Sequence, residues 1–130
     1  MADLNVIQEI EQHLQESLTH GEIDSIMLGS ARCSYALNEQ EQVIGLNLQN
    51  CYLTHLEQVK ELKNLTHLNL SLNLIQEITG LKKLENLTQL NLQKNVVSDI
   101  APLKNLELLT QLNLQDNQIS ELRPLRKLTN

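Results

Sequence analysis

The chain has 130 residues, a formal charge of −6 and a hydrophobic fraction of 41%, proportions of one folded domain long enough to bury its own core. Its 29 Leu, 14 Asn and 13 Gln stand against no Phe, no Trp and two Tyr, so the core is built from one aliphatic residue type and a regular lattice is expected. No apolar run approaches the roughly 20 residues of a membrane span, the two cysteines are too few to staple a small secreted fold, and an acidic, aromatic-poor chain is a poor nucleic-acid binder.

Residues 1–42 do not repeat and read as an N-terminal cap. Its start, Met-Ala-Asp-Leu-Asn, lacks the basic stretch and apolar run of a signal peptide, and Cys33 and Cys51 read as thiols in a reducing compartment. The expected location is therefore cytoplasmic, with no membrane partner. Leu4, Ile7, Ile10, Leu14 and Leu18 follow helical spacing, with Asp3 or Asn5 available to cap the helix and Gly21 to stop it. A second short helical turn is expected around Ile23, Ile26 and Met27. Ser34-Tyr35-Ala36-Leu37 and Val43-Ile44-Gly45-Leu46 flank a polar stretch at 38–42, which predicts a hairpin closing the edge of a sheet. Eight acidic residues here (Asp3, Glu9, Glu11, Glu16, Glu22, Asp24, Glu39 and Glu41) face Arg32 alone and give the cap −7, against +1 for the rest. This reads as a solvated helix face, with docking of a basic partner as the functional alternative.

From Val43 onward the chain repeats every 22 residues, in four copies at 43–64, 65–86, 87–108 and 109–130. Positions four and six of each copy are leucine: Leu46 and Leu48, Leu68 and Leu70, Leu90 and Leu92, Leu112 and Leu114. That alternation is the period of a strand with one buried face. Position nine is Cys51, Asn73, Asn95 and Asn117, where a buried amide can satisfy backbone groups as the chain leaves the strand. Aliphatic residues follow at positions eleven, fourteen, seventeen and twenty, and the spacing of three predicts a tight 3₁₀ or short α return segment. Pro102 and Pro124 sit at position sixteen, where a fixed φ suits a first helical turn. No coil can bury its apolar face alone, so the coils must stack.

The pattern LxxLxLxxNxIxxIxxLxxL resembles the leucine-rich-repeat family in its 22-residue form. Stretches such as Asn95-Val96-Val97-Ser98-Asp99-Ile100-Ala101-Pro102-Leu103 are similar to bacterial internalin repeats and to the related eukaryotic phosphatase-regulator repeats. The resemblance implies an α/β repeat solenoid: a right-handed leucine-rich-repeat coil with a concave parallel β-sheet, short 3₁₀ or α return segments, and a cap of α-helix plus β-hairpin. It also implies protein binding as the commonest role, usually through the concave face.

Strand positions opposite the buried leucines would form that face. They are Gly45, Asn47 and Gln49; His67, Asn69 and Ser71; Gln89, Asn91 and Gln93; and Gln111, Asn113 and Gln115. The surface is nearly all amide and lacks the Trp, Tyr and Arg that anchor most tight interfaces. A basic row at position eighteen (Lys60, Lys82, Lys104, Arg126) and an acidic row at position thirteen (Glu77, Asp99, Glu121) read as solubilising surface. The fourth coil keeps its core leucines, so Leu112, Leu114, Ile119, Leu122 and Leu125 are expected to be half-exposed at a self-association edge. The alternatives are a homodimer through that end, further repeats or domains in a longer chain, or a regulatory segment of a larger enzyme such as a Roco-like GTPase or a regulated phosphatase.

Catalytic signals are missing. The four glycines build no phosphate loop, the four histidines lack a helical zinc spacing and so predict no metal site, and no serine has a Gly-x-Ser-x-Gly setting.

Overall fold

A computed structural model describes residues 2–28 and 32–128. Helical spacing near the N-terminus gives helix α1 (Ala2–Leu14), which buries Ile7 and Ile10. Asp3 and Asn5 both lie inside the helix rather than capping it, and the Asp3 carboxylate instead accepts the Val43 N–H at 2.9 Å, tying the helix to the first repeat. The helix stops four residues short of Leu18. Gln15 takes the left-handed conformation at φ 56°, a common helix exit, and Gly21 plays no part in the stop. Leu18 still reaches the core, from an extended segment. The physical reason for the early exit lies in pairing: β1 (Thr19–His20) runs parallel to β2 (Ser34–Leu37) and satisfies its outer edge.

Strand β2 pairs antiparallel with β3 (Val43–Asn47) as the predicted hairpin. Its turn is built by Asn38, whose Oδ1 accepts the N–H groups of Gln40 and Gln42, each at 3.0 Å. Strands β4 (His67–Asn69), β5 (Gln89–Asn91) and β6 (Gln111–Asn113) then add in parallel, giving a six-stranded sheet in sequence order. The register steps by one repeat throughout: Leu46 pairs with Leu68, Leu68 with Leu90, and Leu90 with Leu112. Sequence period and strand register are the same number, so each leucine slot stacks on its own copy.

Every described return segment contains a 3₁₀ turn: Val59–Glu61, Thr79–Lys83, Ala101–Leu103 and Arg123–Leu125. Sequence reasoning left the acidic row without a local task, and the structure supplies one. Asp99 accepts the Ala101 N–H, Glu121 accepts the Arg123 N–H, and Glu77 accepts the Thr79 hydroxyl, so the row anchors the start of three of these turns.

Between sheet and return segments lies the leucine core. Leu46, Leu48, Leu62, Leu65, Leu68, Leu70, Leu81, Leu84, Leu87 and Leu92 are all fully buried. Position-nine asparagines run along its edge as a ladder. Asn73 Oδ1 accepts the N–H groups of Cys51 and Leu53, while its Nδ2 donates to the carbonyls of Leu48, Leu70 and Ser71. Asn95 and Asn117 repeat the arrangement one and two coils on. Just before each, position eight adopts the left-handed conformation, at Asn50, Leu72, Lys94 and Asp116. The left-handed residue turns the chain inward, and the amide satisfies the backbone groups that the turn removes from the strand ladder.

Candidate functional site

The concave face divides into a covered and an open part. Residues 23–28, with a 3₁₀ turn at Ile23–Ser25, lie over its N-terminal half. Ile26 is 0% exposed yet lies outside the leucine core, as does Ala36. Both face the opposite side of the sheet, around Gly45. A Cβ at Gly45 would meet Ile23 Cδ1 at 2.7 Å and Ile26 Cγ1 at 2.8 Å, with Ala36 Cβ at 3.4 Å. Glycine is therefore required at this one position three, because a second small apolar core forms there. The Asn47 amide points to the Leu28 carbonyl and the Asn69 amide to the Ile26 carbonyl, both at 3.5 Å.

Three of the expected contact residues are consequently out of reach. Asn47 is 0% and Asn69 1% exposed, so neither offers surface to a partner, and Ser71 is buried beside them. Gln49, His67, Gln89, Asn91, Gln93 and Asn113 are partly exposed, and Gln111 and Gln115 are exposed. The open surface thus runs from the margin of β4 across β5 to β6.

Position-five asparagines have a structural share that periodicity did not reveal. The Oδ1 atoms of Asn47, Asn69, Asn91 and Asn113 accept the backbone N–H two residues on, at Gln49, Ser71, Gln93 and Gln115. That is a local side-chain turn closing the strand end. Cross-strand amide contacts then join Asn113 Nδ2 to Gln93 Oε1 at 3.3 Å and Gln93 Nε2 to Gln115 Oε1 at 3.4 Å. Gln89 and Gln111 stand in the adjoining row, at position three.

His67 marks the boundary of the covered zone. Its Nδ1 lies 2.8 Å from Thr66 Oγ1, whose own proton goes to the Ile44 carbonyl, so Nδ1 carries the hydrogen. Burial pushes the imidazole below its usual value, with Asp24 pulling the other way. The unfolded chain therefore binds the proton more readily, and this group costs stability as pH falls through the ordinary histidine range. Urea unfolding followed from about pH 7.5 to about pH 5.5 should show a larger loss of stability for the wild type than for His67→Gln.

Other exposed features flank the face. Tyr52, 80% exposed, and Leu74 and Leu72, also exposed, form an apolar rim just beyond the strands. At the far end Leu112, Leu114, Ile119 and Leu125 are half-buried against the core, and Leu122 is 63% exposed. Lys82, Lys104 and Arg126 of the basic row are exposed on the return side and Lys60 is partly so.

A coil of parallel strands with an amide-lined concave sheet, stacked on a leucine core, is a leucine-rich-repeat solenoid. Residues 63–105 match the family described as Leucine Rich repeats, in two copies. Among solved structures, internalin C2 from Listeria monocytogenes aligns over 95% of this chain and 53% of its own, with 27% identity and a TM-score of 0.62. Internalin F from the same organism aligns over 95% of this chain and 35% of its own, with 23% identity and a TM-score of 0.69. A plant peptide hormone receptor, RGFR1, solved in complex with RGF2, covers 72% of this chain and 19% of its own, with 21% identity and a TM-score of 0.57. The chain spans about half the length of internalin C2 and about a third of internalin F. No curated protein sequence matches it.

Proposed function

We propose that the chain is a non-enzymatic protein-binding module that holds its partner on the open part of the concave sheet, across β5 and β6. The observation that carries this reading is the division of the face itself. One end is sealed by the chain's own residues 23–28, while Gln89, Gln93, Gln111 and Gln115 remain accessible in adjoining rows. Side-chain amides offer a donor and an acceptor each, which matches the main chain of an extended, polar segment of a partner. Their lack of charge predicts binding governed by hydrogen bonds and shape, with weak salt dependence. The likeness to a plant peptide hormone receptor solved in complex with RGF2 supports a binding role for the fold. Leu74 at the rim, one coil before β5, supplies the nearest apolar contact to a face that itself lacks one.

The reading is tested with the pair Gln89→Arg and Gln111→Arg, which crowds the open face without touching the asparagine turns. Captured partners should bind the double variant at least about tenfold more weakly than the wild type. Lys82→Glu, on the return side, should leave binding unchanged. Equal affinity for wild type and double variant would place the interface elsewhere.

A further inference from the structure

Cys33 and Cys51 are 18 residues apart in the chain, yet their sulfurs lie 3.4 Å from each other. Both side chains are buried, and both are free thiols. Cys33 belongs to the cap, in the left-handed conformation at φ 57° just before β2. Cys51 is position nine of the first coil, where every later coil carries the ladder asparagine. The first coil alone gives up its amide, and what takes the place is one half of a sulfur pair.

The surroundings are equally specific. Cys33 donates to Glu16 Oε2 at 3.0 Å, and Cys51 to the Gln49 carbonyl at 3.4 Å. Arg32 binds both oxygens of Glu16, at 3.1 and 2.9 Å, and donates through Nε to the Asn50 carbonyl. That last contact fixes the backbone immediately before Cys51. A protein disulfide needs a sulfur separation of about 2.05 Å, which small side-chain rotations reach from contact distance. Glu16, Cys33 and Cys51 also form a group with metal-ligating atoms within 4.8 Å of one another. Arg32 argues against a cation there, because it occupies both carboxylate oxygens and brings its own positive charge.

We propose that Cys33 and Cys51 form a reversible disulfide that locks the N-terminal cap onto the first repeat. The oxidant is a small-molecule disulfide of the glutathione class. The Cys33 thiol loses its proton to water, and the thiolate attacks one sulfur of the small disulfide. That S–S bond breaks and the first small thiol leaves with a proton. Cys51 then attacks the Cys33 sulfur of the mixed disulfide, closing the Cys33–Cys51 bond and releasing the second small thiol with the Cys51 proton. The two protein thiols lose two electrons and two protons, and the small disulfide gains them. Burial, the Glu16 hydrogen bond and the neighbouring sulfur hold the Cys33 thiol protonated, and burial raises Cys51 as well. Hydrogen bonds from Cys33 and Arg32 keep Glu16 ionised, so it holds the Cys33 thiol as a hydrogen-bond acceptor. The pair is therefore quiet until an oxidant enters beneath the exposed Arg32–Glu16 ion pair.

The test uses the whole chain and glutathione disulfide, with thiols counted in denaturant and the intact mass measured. The reduced protein shows two thiols. After oxidation in the folded state it should show none, lose the mass of two hydrogen atoms, stay a monomer on a non-reducing gel, and melt roughly 5 °C higher. A dithiol reductant restores the starting state. Cys33→Ser and Cys51→Ser should show no such rise. Both thiols surviving in the folded chain, under conditions that oxidise the urea-unfolded chain, would overturn the proposal. So would cross-links between chains, or one equivalent of zinc protecting both thiols, which would make the cluster a metal centre.

Discussion

Replacing Asn73 with alanine should lower the unfolding free energy by about 3 kcal/mol, a large share of the roughly 5–15 kcal/mol available to a domain of this size. Asn73 is 5% exposed, and its amide serves five backbone groups in two coils. Alanine leaves the N–H groups of Cys51 and Leu53 without their acceptor in a site closed to bulk water. Each buried, unsatisfied group costs about 1–3 kcal/mol, and the lost donors add to that. Asn117→Ala makes the same chemical change on a rung that is only half-buried, where water can replace the amide. Its cost should be about 1 kcal/mol. Urea denaturation of both variants checks the account, and equal losses would mean that burial of the ladder is not what makes the amide costly to remove.

The second large effect is expected at Gly45. Gly45→Leu should destabilise the protein by about 2 kcal/mol, because overpacking a filled site displaces what covers it. The contact with Ile23 involves the tip of a flexible side chain, but Ile26 is fully buried and has nowhere to move. The leucine therefore lifts residues 23–28 from the sheet. Limited proteolysis with an acid-specific protease should then cut at Asp24 in the variant and spare the wild type. Replacement of a strand glycine by a larger residue usually helps a strand, so a neutral or stabilising result would show that the second core does not form.

The solenoid was legible in the sequence because its information is periodic. Leu46, Leu68, Leu90 and Leu112 recur at the spacing that sets the strand register, and Pro102 and Pro124 mark the return turns at their own sites. The position-nine asparagines read correctly for the same reason, as one backbone problem recurring with one solution. Features that occur once were harder to read. Leu18 lies on the helical stripe of α1, yet the chain leaves the helix at Gln15 and delivers Leu18 to the core from an extended segment, since pairing with β2 outweighed one more helical turn. Ile23 and Ile26 were legible as a short helical turn, but where that turn docks depends on long-range packing that periodicity does not encode. One signal was present: Gly45 is the only glycine at a position that carries His67, Gln89 and Gln111 in the other coils. Asn47 and Asn69 looked identical to Asn91 and Asn113 in the pattern, and only the docked turn separates the covered pair from the open one. Cys33 and Cys51 gave no hint of proximity: the hairpin was legible, but its register and the left-handed residues Cys33 and Asn50 beside the two sulfurs were not.

On the proposed reading, residues 23–28 close the N-terminal half of the concave face and leave β5 and β6 for a partner. Hydrogen–deuterium exchange of the wild-type chain, read on peptides covering this segment, tests that most directly. Amides of Ile26 and Leu28, which donate to Ile23 and Ser25, should exchange slowly, with protection approaching that of β3 and β4. Exchange at the rate of an unstructured peptide would contradict the account, exposing Asn47 and Asn69 and extending the binding face over the whole sheet.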